Sequence, residues 1–136
     1  MMKKEKPKPR ELTRAEEQVM QALWKIEKGM VHDILDHFPE PKPAYNTVST
    51  ITRILEQKGF VGHKAYGRTH EYYPLISRVE YTRGYLSNFL QNYFGNSFHS
   101  LASFFAREEK PSLAELEEIR ELINKEINHQ KKRSHE

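Results

Sequence analysis

The 136-residue chain contains no cysteine, so disulfides, thiolate metal sites and cysteine nucleophiles are excluded together. No apolar run approaches the ~20 residues a membrane-crossing helix needs, and the charged amino terminus is not followed by a signal-peptide apolar region. A cytoplasmic protein without membrane insertion is expected. Neither a phosphate-cradling glycine loop nor a nucleophile elbow occurs. His32 and His37 fall on different sides of a helix, and His63 and His70, which can approach across a hairpin, lack a third ligand motif. These absences predict a protein that is not an enzyme and holds neither metal nor cofactor. Excess charge is also scarce, at +3, but it is uneven: residues 1–76 hold 13 Lys and Arg against 10 Asp and Glu, and residues 77–136 hold 9 against 9. Between Lys42 and Ile76, Lys42, Arg53, Lys58, Lys64 and Arg68 face only Glu56 and Glu71, which points to an anionic partner.

What the chain does contain is a succession of helix signals. Residues 1–10 form a basic, proline-interrupted arm that can bury nothing and is expected to be disordered. Thr13 and Glu16 make a capping box, and Val19, Met20, Leu23, Trp24 and Ile26 follow at helical spacing, with Gly29 closing the segment and Trp24 as core anchor. Met30 and Val31 can supply a very short strand. Residues 31–38 read as a helix of about two turns, ended by Pro39, Pro41 and Pro43.

Residues 45–60 carry the most specific pattern. Val48, Ile51, Ile54 and Leu55 share one side of a helical wheel, while Asn46, Ser49, Arg53 and Gln57 lie roughly opposite and Thr50 at the edge. A solvated face usually carries long charged side chains. This one begins with short hydrogen-bonding groups that let a helix backbone approach base edges in a major groove. The competing explanation is that Thr and Ser merely cap the helix start. The context favours the groove: residues 60–66, a turn at Gly67-Arg68-Thr69 and residues 70–75 form a β-hairpin carrying Lys64 and Arg68. Three helices and a basic hairpin over residues 11–76 spell a winged helix-turn-helix, in which the third helix reads bases and the wing grips sugar-phosphate.

Ser77 and Glu80 form a second capping box ahead of Leu86, Phe89, Leu90, Tyr93 and Phe94, which make an i, i+3, i+4 stripe ended by Gly95 and Asn96. A short apolar helix around residues 98–106 follows. Ser112 and Glu115 open a further helix with Leu113, Leu116, Ile119, Ile123 and Ile127 on one side. So many apolar side chains on residues 77–128 exceed what so small a unit hides alone, which predicts a dimerisation domain. The alternative is that the stripes fold back on their own winged helix. Residues 129–136 read as a polar tail, frayed from Gln130. The fold class is thus mainly α with a small β wing, followed by an α-helical dimerisation region.

The segments Glu17-Gln18-Val19-Met20-Gln21-Ala22-Leu23-Trp24, Tyr45-Asn46-Thr47-Val48-Ser49-Thr50, Leu55-Glu56-Gln57-Lys58-Gly59-Phe60-Val61 and Tyr72-Tyr73-Pro74-Leu75 closely resemble the penicillinase repressor family, over residues 12–127. The resemblance implies a homodimeric winged-helix repressor bound to a palindromic operator, typically with TACA/TGTA half-sites. It puts base contacts on Asn46, Thr47, Ser49 and Thr50, to which the wheel adds Arg53; Lys42, Tyr45, Lys64, Arg68 and Thr69 are the expected backbone contacts. Members that answer β-lactams are released through a membrane sensor protease system that ends in cleavage of an Asn-Phe bond in the dimerisation region. The matching positions here are Phe104 and Phe105, without the Asn. The paired cysteines of the copper-responsive branch are absent. The reading from another class is a winged-helix protein-interaction scaffold without specific DNA binding, against which the basic wing and the short polar helix face argue.

Overall fold

The computed structural model describes residues 12–135; the basic arm at residues 1–10 lies outside them. Thr13 caps α1 (Arg14–Ile26): its hydroxyl accepts the Glu16 N–H at 3.2 Å while the Glu16 carboxylate accepts the Thr13 N–H at 2.9 Å. Glu16 is buried and also receives the Lys58 ammonium at 2.6 Å. Burial, the largest single influence, raises its carboxyl pKa, but the hydrogen bonds from Lys58 and Thr13 together outweigh it and leave the group below the ordinary glutamate value. One carboxylate therefore joins the start of α1 to the end of the third helix.

The first helix does not run to Gly29. It ends at Ile26, Glu27 takes φ 72°, and Gly29 instead exchanges two backbone hydrogen bonds with Tyr72, at 2.9 and 2.8 Å. The position has no room for a side chain: a Cβ on Gly29 would stand 2.7 Å from Ile26 Cδ1 and 3.0 Å from Asp33 Cβ. The short strand expected at Met30 and Val31 is thus this bridge at Gly29. α2 (Val31–Asp36) stops before the prolines, and α3 (Tyr45–Gln57) follows them.

In α3, Val48, Thr52 and Leu55 are buried and Ile51 half-buried, whereas Ile54 is 38% exposed. Thr52 takes the place expected of Ile54 because its hydroxyl donates to the Val48 carbonyl at 2.7 Å, so its one polar group enters the core satisfied. β1 (Val61–Tyr66) and β2 (Thr69–Pro74) pair antiparallel from Val61↔Pro74 to Tyr66↔Thr69. The core joins Val19, Met20, Leu23, Ile34, Val48, Leu55, Phe60 and Val61 with Tyr72, Ile76 and Tyr81. Trp24 is only half-buried. It works at the rim, donating Nε1–H to the Ile76 carbonyl at 2.8 Å and lying 5.7 Å from the Tyr81 ring.

α4 (Arg78–Phe94), α5 (Phe98–Glu108) and α6 (Leu113–Ser134) complete the chain. Compactness divides it into two units between Phe89 and Leu90, within α4 rather than at residues 76 and 77. α4 as far as Phe89 belongs to the first unit, and Tyr81 in its first turn is buried there, its hydroxyl accepting the Leu12 N–H at 3.0 Å. In the second unit, Gly95 and Asn96 adopt φ 56° and 61° between α4 and α5, and Ser97 and Ser112 cap α5 and α6. The polar tail is helical as far as Ser134 rather than frayed from Gln130.

Candidate nucleic-acid interface

The amino terminus of α3 is built without help from its own hydroxyls. Its N-cap is Ala44, no side chain caps it, and its first turn carries no acid. The capping explanation for Thr47, Ser49 and Thr50 therefore does not apply. Asn46, Thr47, Thr50 and Arg53 are exposed and Ser49 is half-buried. Thr50 donates its hydroxyl proton to the Asn46 carbonyl at 2.9 Å, which fixes its rotamer and leaves its oxygen as an acceptor. The helix start thus presents short polar groups and an uncompensated positive dipole end to whatever lies in front of it.

The wing is turned by Gly67 at φ 63°, which sets Arg68 at the tip. Lys64 lies over the Tyr66 ring at 5.3 Å, with Glu71 as its cross-strand neighbour. Between α3 and the wing runs a cleft of about 320 Å³ that brings together Tyr45, Ser49, Arg53, Arg68 and Thr69. Asn46, Thr47, Thr50, Lys42 and Lys64 do not line it; Lys42 donates to the Asp36 carbonyl at 3.3 Å. The cleft also contains His32 and His70, which the sequence marked only as unlikely metal ligands. The hairpin register is the signal for His70: His63, Ala65, His70 and Tyr72 share one face, the one turned to α3, whereas His32 comes from α2 and is not reached by that register.

On that face His63 and His70 stack, with centroids 4.1 Å apart and planes 10° from parallel, and Glu56 of α3 pairs with His63. The Tyr72 phenol is pushed up, first by burial, then by the nearby charges of Glu56 and Tyr45, against the opposing pull of Arg53. Among the described residues, no three His, Asp or Glu side chains converge to hold a metal ion. No described helix is long and apolar enough to cross a membrane.

A supported third helix with a short-chained polar face, followed by a basic two-stranded hairpin, defines a winged helix-turn-helix DNA-binding protein. Comparison with known sequences narrows this further. The chain belongs to the penicillinase repressor family, whose sequence model matches residues 12–125. It is 28% identical over 116 residues to the methicillin resistance regulatory protein MecI of Staphylococcus aureus strain N315, covering 85% of this chain and 94% of that one. The penicillinase repressor of Bacillus licheniformis is 22% identical over 122 residues, covering 89% and 95%. Among solved structures, the DNA-binding domain of the repressor BlaI in solution is similar, with 25% identity, a TM-score of 0.47 and coverage of 58% of this chain and 94% of that one. The protein is a DNA-binding transcriptional repressor, and the scaffold reading finds no support among its relatives.

Proposed function

We propose that this repressor acts as a homodimer that sits on a palindromic operator in double-stranded DNA and obstructs polymerase. The observation that carries the reading is the free polar start of α3: Ala44 is the cap, so Asn46, Thr47, Ser49 and Thr50 are left to meet base edges. Arg53, which the wheel grouped with them, shares the wing cleft with Arg68. Lys42, Tyr45, Lys64, Arg68 and Thr69 grip the backbone.

Pairing is supported by the apolar stripes of α4, α5 and α6. Neither α5 nor α6 has a buried residue, and α6 exposes Leu116, Ile119, Ile123 and Ile127 along its length. From α4, Leu86 and Tyr93 are exposed and Phe89 and Phe94 half-buried; Leu90 is already 2% exposed in the single chain. Residues 77–128 are the dimerisation region, and a second copy covers these stripes. Release by a membrane sensor protease system would cut near Phe104 and Phe105. That bond lies inside α5, so cleavage requires local opening of the helix.

Selection of bound sequences from a random duplex pool tests the proposal. Wild-type protein is expected to recover an inverted repeat, and Asn46→Ala with Thr50→Ala to lose about 1–3 kcal/mol per contact on that site and to relax preference at the contacted positions. Recovery of no preferred sequence would defeat it.

A further inference from the structure

A second groove, of about 960 Å³ against about 320 Å³ for the cleft beside the wing, runs along α1 and lies wholly within the first unit. DNA binding makes no use of it. Arg14, Gln18, Gln21 and Lys25 follow one another at i, i+4, i+7 and i+11 and so share the side of α1 that lines it. A merely solvated helix side would be polar throughout. This one meets the rings of Trp24 and, from β2, Tyr73.

Both rings are held in place. Trp24 has its one polar atom engaged, Nε1–H donating to the Ile76 carbonyl at 2.8 Å, so what it offers the groove is apolar ring. Tyr73 is 39% exposed and lies across Gly62, where a Cβ would stand 2.9 Å from its Cζ and Oη. The ring occupies the space that a side chain on β1 would need. Charge around the rings is unbalanced by one. Arg14, Lys25 and Arg78 stand along the groove against Glu17 and Glu27, and among the described residues none of the three cations is in an ion pair. Lys25 follows Trp24 directly, and Arg78 is two residues past Ile76, the acceptor of the indole proton. Ring surface beside unpaired cations suits a planar aromatic group with one carboxylate, which a guanidinium takes in bidentate fashion. The two acids count against a second negative charge on the same molecule.

We propose that this groove is a binding site for a small aromatic monocarboxylate, and that its occupation alters the affinity of the repressor for operator DNA. The second half rests on the DNA-binding reading. Its physical basis is position: the groove is walled by the end of β2, the second strand of the wing, and by the first turn of α4, the helix that continues into the second unit. A molecule seated between them favours the arrangement of those two elements that it fits best, and linkage then makes DNA and ligand affinity depend on one another.

The test titrates benzoate into the full chain by calorimetry and follows the indole N–H resonance, which is single because Trp24 is the only tryptophan. Wild type is expected to bind benzoate with Kd below about 1 mM and to shift that resonance to saturation. Benzylamine, of the wrong charge, and cyclohexanecarboxylate, without a flat ring, should bind at least about fivefold more weakly. Lys25→Gln and Arg78→Gln, both at exposed positions, should each weaken benzoate about three- to tenfold with an unchanged urea midpoint. In anisotropy titrations of the selected duplex, saturating benzoate should change wild-type affinity about threefold or more and leave the double variant unmoved. A benzoate Kd above about 1 mM, equal binding of benzylamine, or a double variant that binds benzoate as wild type does overturns the site. Benzoate binding with duplex affinity unchanged within about twofold overturns the coupling. Failure of wild type to bind any duplex overturns the repressor reading, while the calorimetry, carried out without DNA, still decides the groove.

Discussion

Glu16 is the residue on which the two ends of the first unit's helical framework converge, since it caps α1 and receives Lys58 from the end of α3. Its pKa is lower in the folded chain than in the unfolded one, so its contribution is fully present above the ordinary glutamate pKa of about 4.3 and is lost as pH falls through the folded value. Glu16→Gln should cost about 1–2 kcal/mol at neutral pH, and the gap from wild type in thermal melts should close as the pH drops below about 4. A constant gap would mean that charge plays no part. Half of this arrangement was legible: Thr13 and Glu16 at capping-box spacing announce the cap. Lys58, forty-two positions away, cannot be assigned to Glu16 by any local pattern, because only the packing of α3 on α1 brings them together. Thr52 was illegible for a related reason. Its hydroxyl is silenced by the backbone of its own helix, so a residue counted as polar behaves as core.

At the scale of elements, periodicity located every helix among the described residues and the hairpin, because alternation and capping are local signals. Ends and bridges were harder. Gly29 stands where a helix stop is expected, but α1 ends at Ile26 and Gly29 instead bridges to Tyr72, tying the wing to the α1–α2 connection, at a place where a Cβ would crowd Ile26 and Asp33. Gly29→Ala should therefore lower stability by about 1–3 kcal/mol in urea denaturation, because the Asp33 Cβ at 3.0 Å belongs to a helix that cannot easily yield. Unchanged stability would show that Ile26 and Asp33 make room for a side chain. The interface was legible to the same extent: the polar row of α3 and the basic wing follow from the sequence, whereas the cleft between them needed the hairpin register that turns His70 inward.

For the whole molecule, burial bears on assembly. A 22-residue α6 with no buried residue yet a continuous apolar stripe is the surface on which the proposed pairing rests. In the proposed dimer each copy brings one winged helix, and an inverted-repeat site offers one half-site to each. The most direct measurement is the mass of the protein, alone and on its selected duplex, by sedimentation equilibrium at micromolar concentration. The account predicts paired chains in both cases, and that Ile119→Lys with Ile123→Lys yields folded monomers with weakened affinity for the paired site. Wild-type chains that sediment singly and occupy the duplex one at a time would contradict it.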